Sequence, residues 1–241
     1  MKEIKITDSE NEKGLIYACK AISALVAEFC GRTENFKAGG RSVLLISCPD
    51  KYYDLFKCEI EDKIADVIAV MYKYEFFKRK IVAGGLNKVE REILLSALIG
   101  ADIEDDKRYI VRRLRTFNDF AVDGIYNFRL QPLKNKWKDV ASYVPCFFTV
   151  GELNDFVSYL VSERRTKKVI VESGKVYDGN YNRLRRTFLT GSLEECAIVR
   201  EVILSSSGNV EVFSAIPELD EKYLKTFFGR RLSFLQRKKF N

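Results

Sequence analysis

The chain has 241 residues, 46% apolar and 31% charged, enough to bury a core and too balanced for a disordered or collagen-like protein. Its formal charge of +7 is uneven: residues 1–104 carry 16 Lys/Arg against 17 Asp/Glu (−1), and residues 105–241 carry 25 against 17 (+8). Histidine is absent, which removes Ser-His-Asp and Cys-His catalysis, His-containing zinc sites and the usual proton shuttle near neutral pH; an enzyme here has to work with carboxylates, Lys, Tyr or Arg.

Residues 2–7 alternate polar and apolar and read as a strand. Leu15, Cys19, Ile22, Val26 and Phe29 recur at helical spacing, with Gly31 as the stop. "RTENFKAGG" (32–40) reads as a loop and "SVLLIS" (42–47) as a buried strand. A long helix is predicted from about Leu55 to Ala83, with Ile60, Ile64, Ile68, Met71 and Tyr72 as its core stripe. Asp66, Lys73, Glu75 and Lys78–Lys80 interrupt it and argue against a membrane span. Asn87 and Glu90 form a capping box for a helix over 88–99. An acidic turn (101–106) leads to a helix over 106–121, with Ile110, Leu114, Phe117 and Ala121 inward.

Asp123-Gly124 marks a turn, and 125–130 reads as a strand or extended link. Pro132 opens a further helix, and another spans 152–161. The pattern then changes: a strand at 167–173, a turn at 174–180, a second strand at 185–190, a helix capped by Ser192 and Glu195, a strand at 210–215 and a helix over 218–228. The expected fold is α/β (α+β). A helix-rich region with N-terminal strands (1–145) is followed by a small basic β-α-β-α region (146–241).

Six cysteines are scattered without a CxxC pair and read as buried free thiols. The segment "MKEIKITDSENEKG" has no apolar signal core, so a cytoplasmic location is expected. "KAGGRS" (37–42) precedes a strand and reads as a hairpin or connector turn, the wrong context for a phosphate loop. Asp62 and Asp66, with Glu59, Lys63 and Lys73 around them, read as a solvated stripe, and Trp137 as a core residue.

Two basic features stand out. Arg108, Arg112 and Arg115 share one helix face and repel each other unless carboxylates, phosphates or solvent lie opposite. Residues 163–186 carry eight Lys/Arg against three Asp/Glu, with Tyr177 and Tyr181 between them. The candidate nucleic-acid or anion-binding residues there are Arg164, Arg165, Lys167, Lys168, Arg183, Arg185 and Arg186. The competing reading is a charged hairpin whose edge cations prevent strand-to-strand association.

Several segments, in order, are similar to one family: "IEDKIADVIAVMYKYEFFKRKI" (60–81), "GIYNFRL" (124–130), "LNDFVSYLVSERRTKKVIV" (153–171), "SLEECAIVREVILSSSGNVEVF" (192–213) and "LKTFFGRRLSF" (224–234). On these the chain resembles the YtxC-like proteins of spore-forming Firmicutes, which are labelled as sporulation proteins. The resemblance implies a cytosolic bacterial protein with no assigned reaction or cofactor, and it supplies no catalytic residues. Such proteins tend to end in a cysteine-bearing stretch, whereas "RRLSFLQRKKFN" has none, so no metal or redox role carries over. Three readings follow. One is a non-enzymatic interaction or regulatory protein with a protein partner. The second is a nucleic-acid binder using the C-terminal basic surface. The third is a His-independent enzyme acting on phosphorylated substrates. None calls for a metal or cofactor.

Overall fold

A computed structural model describes residues 1–9, 11–164, 167–191 and 193–235. In chain order the elements are β1 (Lys2–Asp8), α1 (Glu12–Ala21), α2 (Ser23–Glu28), β2 (Arg32–Ala38), β3 (Arg41–Cys48) and α3 (Tyr53–Asp66). A π-helical stretch (Val67–Tyr72) joins α3 to α4 (Lys73–Lys80). Then come α5 (Lys88–Gly100), α6 (Ile103–Leu114), β4 (Phe120–Ala121), α7 (Val122–Arg129), α8 (Gln131–Tyr143) and α9 (Val150–Glu163). The last part holds β5 (Lys168–Glu172), β6 (Lys175–Asp178), α10 (Ala197–Leu204), β7 (Asn209–Val212), α11 (Glu218–Phe228) and β8 (Leu232–Phe234). The fold is α/β, with two mixed sheets. Among the described residues no helix is long and apolar enough to cross a membrane.

The chain forms two compact units, each from two stretches: Met1–Lys73 with Glu104–Val140, and Tyr74–Ile103 with Ala141–Asn241. In the first unit the strand order is β2-β3-β1-β4. β3 pairs antiparallel with both β1 and β2, and β4 lies parallel to β1. Leu15, Tyr17 and Ala18 of α1 and the stripe Ile60, Ile64, Ile68, Met71 and Tyr72 are buried. The "KAGGRS" turn closes the β2–β3 hairpin, with Gly39 and Gly40 at φ +57° and +75°, the left-handed pair that a tight hairpin turn demands.

Three expectations in this unit are corrected. Residues 32–38 form strand β2, not a loop; nearly all its side chains face solvent, so no apolar alternation reveals it. The helix predicted over 106–121 starts at Ile103 and stops at Leu114. Glu104, Asp105 and Asp106 occupy its first turn, where the helix dipole favours negative charge. Phe117 is only half-buried, and Ala121, in strand β4, is exposed. Residues 125–130 lie largely in helix α7, with Asp123 in its first turn.

In the second unit the order is β6-β5-β7-β8. β5 and β7 are parallel, as are β7 and β8, and α10 and α11 provide the crossovers. α10 packs against α5 and α11 and is buried on all sides from Ile198 to Leu204. The partner of β5 is β6, inside the predicted turn, and 186–189 is a 3₁₀ turn rather than a strand. The cause is Glu201, which is buried and accepts from the Arg186 and Thr187 N–H groups at 2.7 Å each and from the Thr187 hydroxyl at 2.5 Å. Bending the backbone toward that carboxylate satisfies a buried charge. Helix α10 begins at Ala197, after Cys196 in a left-handed conformation (φ +52°); the predicted cap Ser192 lies outside the described residues. All six cysteines are free, but only Cys48 and Cys196 are buried; Cys30, Cys58 and Cys146 are exposed.

Candidate functional site

Two of the candidate cations in 164–186, Arg164 and Arg186, are engaged with main-chain carbonyls. Arg164 turns inward: its Nη1 donates to the Ile203 carbonyl at 3.0 Å, and burial pulls its guanidinium down to about 10. The Arg186 Nη1 donates to the Leu204 carbonyl at 2.8 Å. Both carbonyls belong to the last turn of α10, whose C=O groups have no partner within the helix. The two arginines therefore cap one helix C-terminus, where the dipole also favours positive charge. Arg231 does the same for α9, donating to the Val161, Ser162 and Arg164 carbonyls at 2.6, 3.1 and 2.8 Å.

Lys168 is exposed and pairs with Glu211 at 3.2 Å, across the β5–β7 pairing. Lys167 and Arg183 are exposed, Arg185 is half-buried, and Arg165 lies outside the described residues, as do Arg237, Lys238 and Lys239. Tyr177 and Tyr181 pack on each other with ring centroids 5.6 Å apart and planes tilted by 36°.

The other basic feature, on α6, is different. Its inner side is anchored in the first unit by ion pairs. Asp106 accepts from Lys73 Nζ (2.7 Å), Lys136 Nζ (2.8 Å) and Trp137 Nε1 (2.8 Å), and Lys73, Asp106 and Trp137 are all buried. Lys107 reaches back to α3, with its Nζ 2.8 Å from Asp62 and 3.0 Å from Asp66. The Tyr17 hydroxyl also donates to Asp66 at 3.2 Å. The expected solvated stripe is thus corrected: Asp66 and Lys73 are interior, each matched by an opposite charge.

Along the outer side run Arg108, Arg112 and Arg115, lining a groove of about 440 Å³ that Asp62 and Lys107 also border. Arg108 is paired with Asp105 at 3.0 Å. Arg112 and Arg115 are exposed and make no ion pair among the described residues. Arg115 does act on Glu61 at longer range. Burial holds that carboxyl above its ordinary value, and Lys57 and then Arg115 pull the other way. An exposed arginine row on a helix face is satisfied by solvent in the free protein and is complementary to an anion brought opposite it.

Sequence patterns reveal the arginine row but not its foundation. Lys73 and Asp106 are 33 residues apart, and no local pattern links them. The lone Trp137 is the one usable signal, because a buried indole N–H needs an acceptor. Two further interior carboxylates are engaged: Asp8 accepts from the Tyr72 hydroxyl at 2.7 Å, and Asp123 accepts from Ser9 and Arg41. Carboxylates held this way serve architecture better than proton transfer. Among the described residues no group of three His, Cys, Asp or Glu is placed to hold a metal ion.

No family model, no curated protein and no solved structure matches this chain. The likeness to the YtxC-like proteins rests on the sequence segments alone.

Proposed function

We propose that the protein is a non-enzymatic interaction or regulatory protein that docks an acidic protein partner on the outer face of α6. In this reading it acts in the cytoplasm, in the sporulation-associated process that its family resemblance implies. One observation carries the reading: Arg112 and Arg115 stand without ion pairs beside Arg108, on a helix whose inner side is pinned by Lys107 and Asp106. Arg112 and Arg115, neighbours on one face, repel each other in the free protein, and carboxylates of a partner relieve that repulsion through charge-assisted, often bidentate hydrogen bonds. The pinned helix holds the row in place beforehand, which lowers the ordering cost of association.

The nucleic-acid reading has less support. Arg164 and Arg186 already serve main-chain carbonyls, and Lys168 serves Glu211. Fluorescence anisotropy separates the two, using a labelled Asp/Glu-rich peptide and a DNA duplex at about 50 and 200 mM salt. The acidic peptide is expected to bind at low salt, and an Arg112→Glu/Arg115→Glu variant to lose that binding. Tighter retention of DNA than of peptide, with a steep salt dependence, favours the nucleic-acid reading. Failure of both ligands to bind at low salt ends both.

A further inference from the structure

The second unit contains a cleft that the reading above does not use. It has a volume of about 480 Å³ and is lined by residues of α4 and α5 and by Gly191 and Leu193. Three cations converge on it: Lys78 from α4, and Lys88 and Arg91 from the first two turns of α5. All three are exposed, and none makes an ion pair among the described residues. Lys78 rests over the Tyr74 ring, 5.5 Å from its centre. The capping box of α5, in which the Asn87 side chain and the Glu90 N–H meet at 3.0 Å and the Asn87 N–H and Glu90 carboxylate at 2.9 Å, fixes where the helix begins. Lys88 is the first residue of that helix and Arg91 the fourth.

The single carboxylate in the lining is Glu92, and its charge is already answered from behind. The Tyr74 hydroxyl donates to its Oε1 at 2.7 Å, and Nη2 of the wholly buried Arg200 lies 3.2 Å from its Oε2. Arg200 is held in turn by Thr190 Oγ1 at 2.5 Å and the Leu193 carbonyl at 2.9 Å. Burial, with Glu92 adding to it, keeps the Tyr74 phenol protonated and donating. Glu92 is paired with Arg200, and Lys78, Lys88 and Arg91 make no ion pair among the described residues. The remaining wall is apolar, from Ile81, Leu95 and Leu193. At Gly191 the chain passes so close that a Cβ would stand 2.5 Å from the Tyr74 hydroxyl oxygen, so that wall is shaped by backbone.

We infer that this cleft binds a phosphate monoester of roughly mononucleotide or sugar-phosphate size. Its phosphate would sit among Lys78, Lys88 and Arg91, and its organic part against Ile81, Leu95 and Leu193. The volume is in the range of small-molecule pockets, and the mix of apolar wall and few fixed polar groups is what such pockets use. A dianion offsets the repulsion among three convergent cations, which a neutral ligand cannot do. Lone cations on convex surface are solvated and need no ligand; these share one concave space over a fixed floor.

The test is calorimetric titration of the full chain with a nucleoside monophosphate, a sugar monophosphate and inorganic phosphate. At least one ester is expected to bind about tenfold tighter than inorganic phosphate, because only the ester uses the apolar wall. A Lys88→Glu/Arg91→Glu variant, shown to be folded by circular dichroism, is expected to weaken that binding at least about tenfold. The Arg112→Glu/Arg115→Glu variant is expected to leave it unchanged, which keeps this site distinct from the α6 face. The inference is overturned if neither ester binds, if inorganic phosphate binds equally well, or if charge reversal at Lys88 and Arg91 has no effect.

Discussion

Lys73 and Asp106 meet at 2.7 Å with neither side chain exposed to solvent. An ion pair this deep adds little net stability, since desolvation offsets its attraction, but breaking it strands a charge. Asp106→Asn keeps an acceptor for Trp137 and removes the charge facing Lys73. It is expected to cost about 3–5 kcal/mol in urea unfolding. Lys73→Met combined with Asp106→Asn is expected to cost less than the sum of the two single changes, by about 1–3 kcal/mol. Simple additivity would mean the two residues do not depend on each other.

Asp123 gives the fold an acid-sensitive contact. Burial alone would raise its carboxyl, but donation from Ser9, Arg41 and the Gly124 N–H outweighs that and holds it below the ordinary carboxylate value. A depressed folded-state value means the contact stabilises fully above the unfolded-state value. It is lost as pH falls through the folded one. Wild-type stability should therefore decline below about pH 4. Asp123→Asn should be less stable at neutral pH and show a shallower acid decline. An unchanged acid limb in the variant would show that other groups govern it.

The thiols should divide by exposure. Cys30, Cys58 and Cys146 are exposed and should react promptly with a thiol reagent in the folded protein. Cys48 and Cys196 are buried and should react only on unfolding. Cys196 is further protected because burial, then Asp220 and Glu195, push its thiol up to about 12, so almost no thiolate forms near neutral pH. Mass spectrometry of the labelled folded protein reads this directly; early labelling at Cys196 would contradict the buried placement.

Two glycines should respond differently to alanine. At Gly208 a Cβ would lie 2.0 Å from the Arg164 carbonyl oxygen, so Gly208→Ala must displace backbone and should cost about 3 kcal/mol. Gly39 has open space around it and only its left-handed φ to protect, so Gly39→Ala should cost about 1 kcal/mol. Thermal or urea unfolding ranks the two, and equal costs would argue against the close approach at Gly208.

Helices α5 and α11 are legible in the amino-acid order itself, since a capping box or an apolar stripe acts over a few residues and is written in adjacent positions. The β5-α10-β7-α11 succession is legible for the same reason. Strand β2 is not, because its order comes from hydrogen bonds to β3 rather than from burial of its own side chains. The 3₁₀ turn at Arg186–Leu189 is hidden too, since the carboxylate that shapes it, Glu201, comes from another element. Charge is the hardest to read. Composition establishes how many cations the chain carries and in which part they lie. Where each one ends up is settled by packing: Arg164 and Arg186 on the end of a buried helix, Lys73 inside the first unit, Arg112 and Arg115 facing solvent. Helix and strand signals act over a turn or two of chain, whereas an arginine is the same symbol whether a carbonyl, a carboxylate or water lies opposite. That counterpart exists only once distant segments have come together.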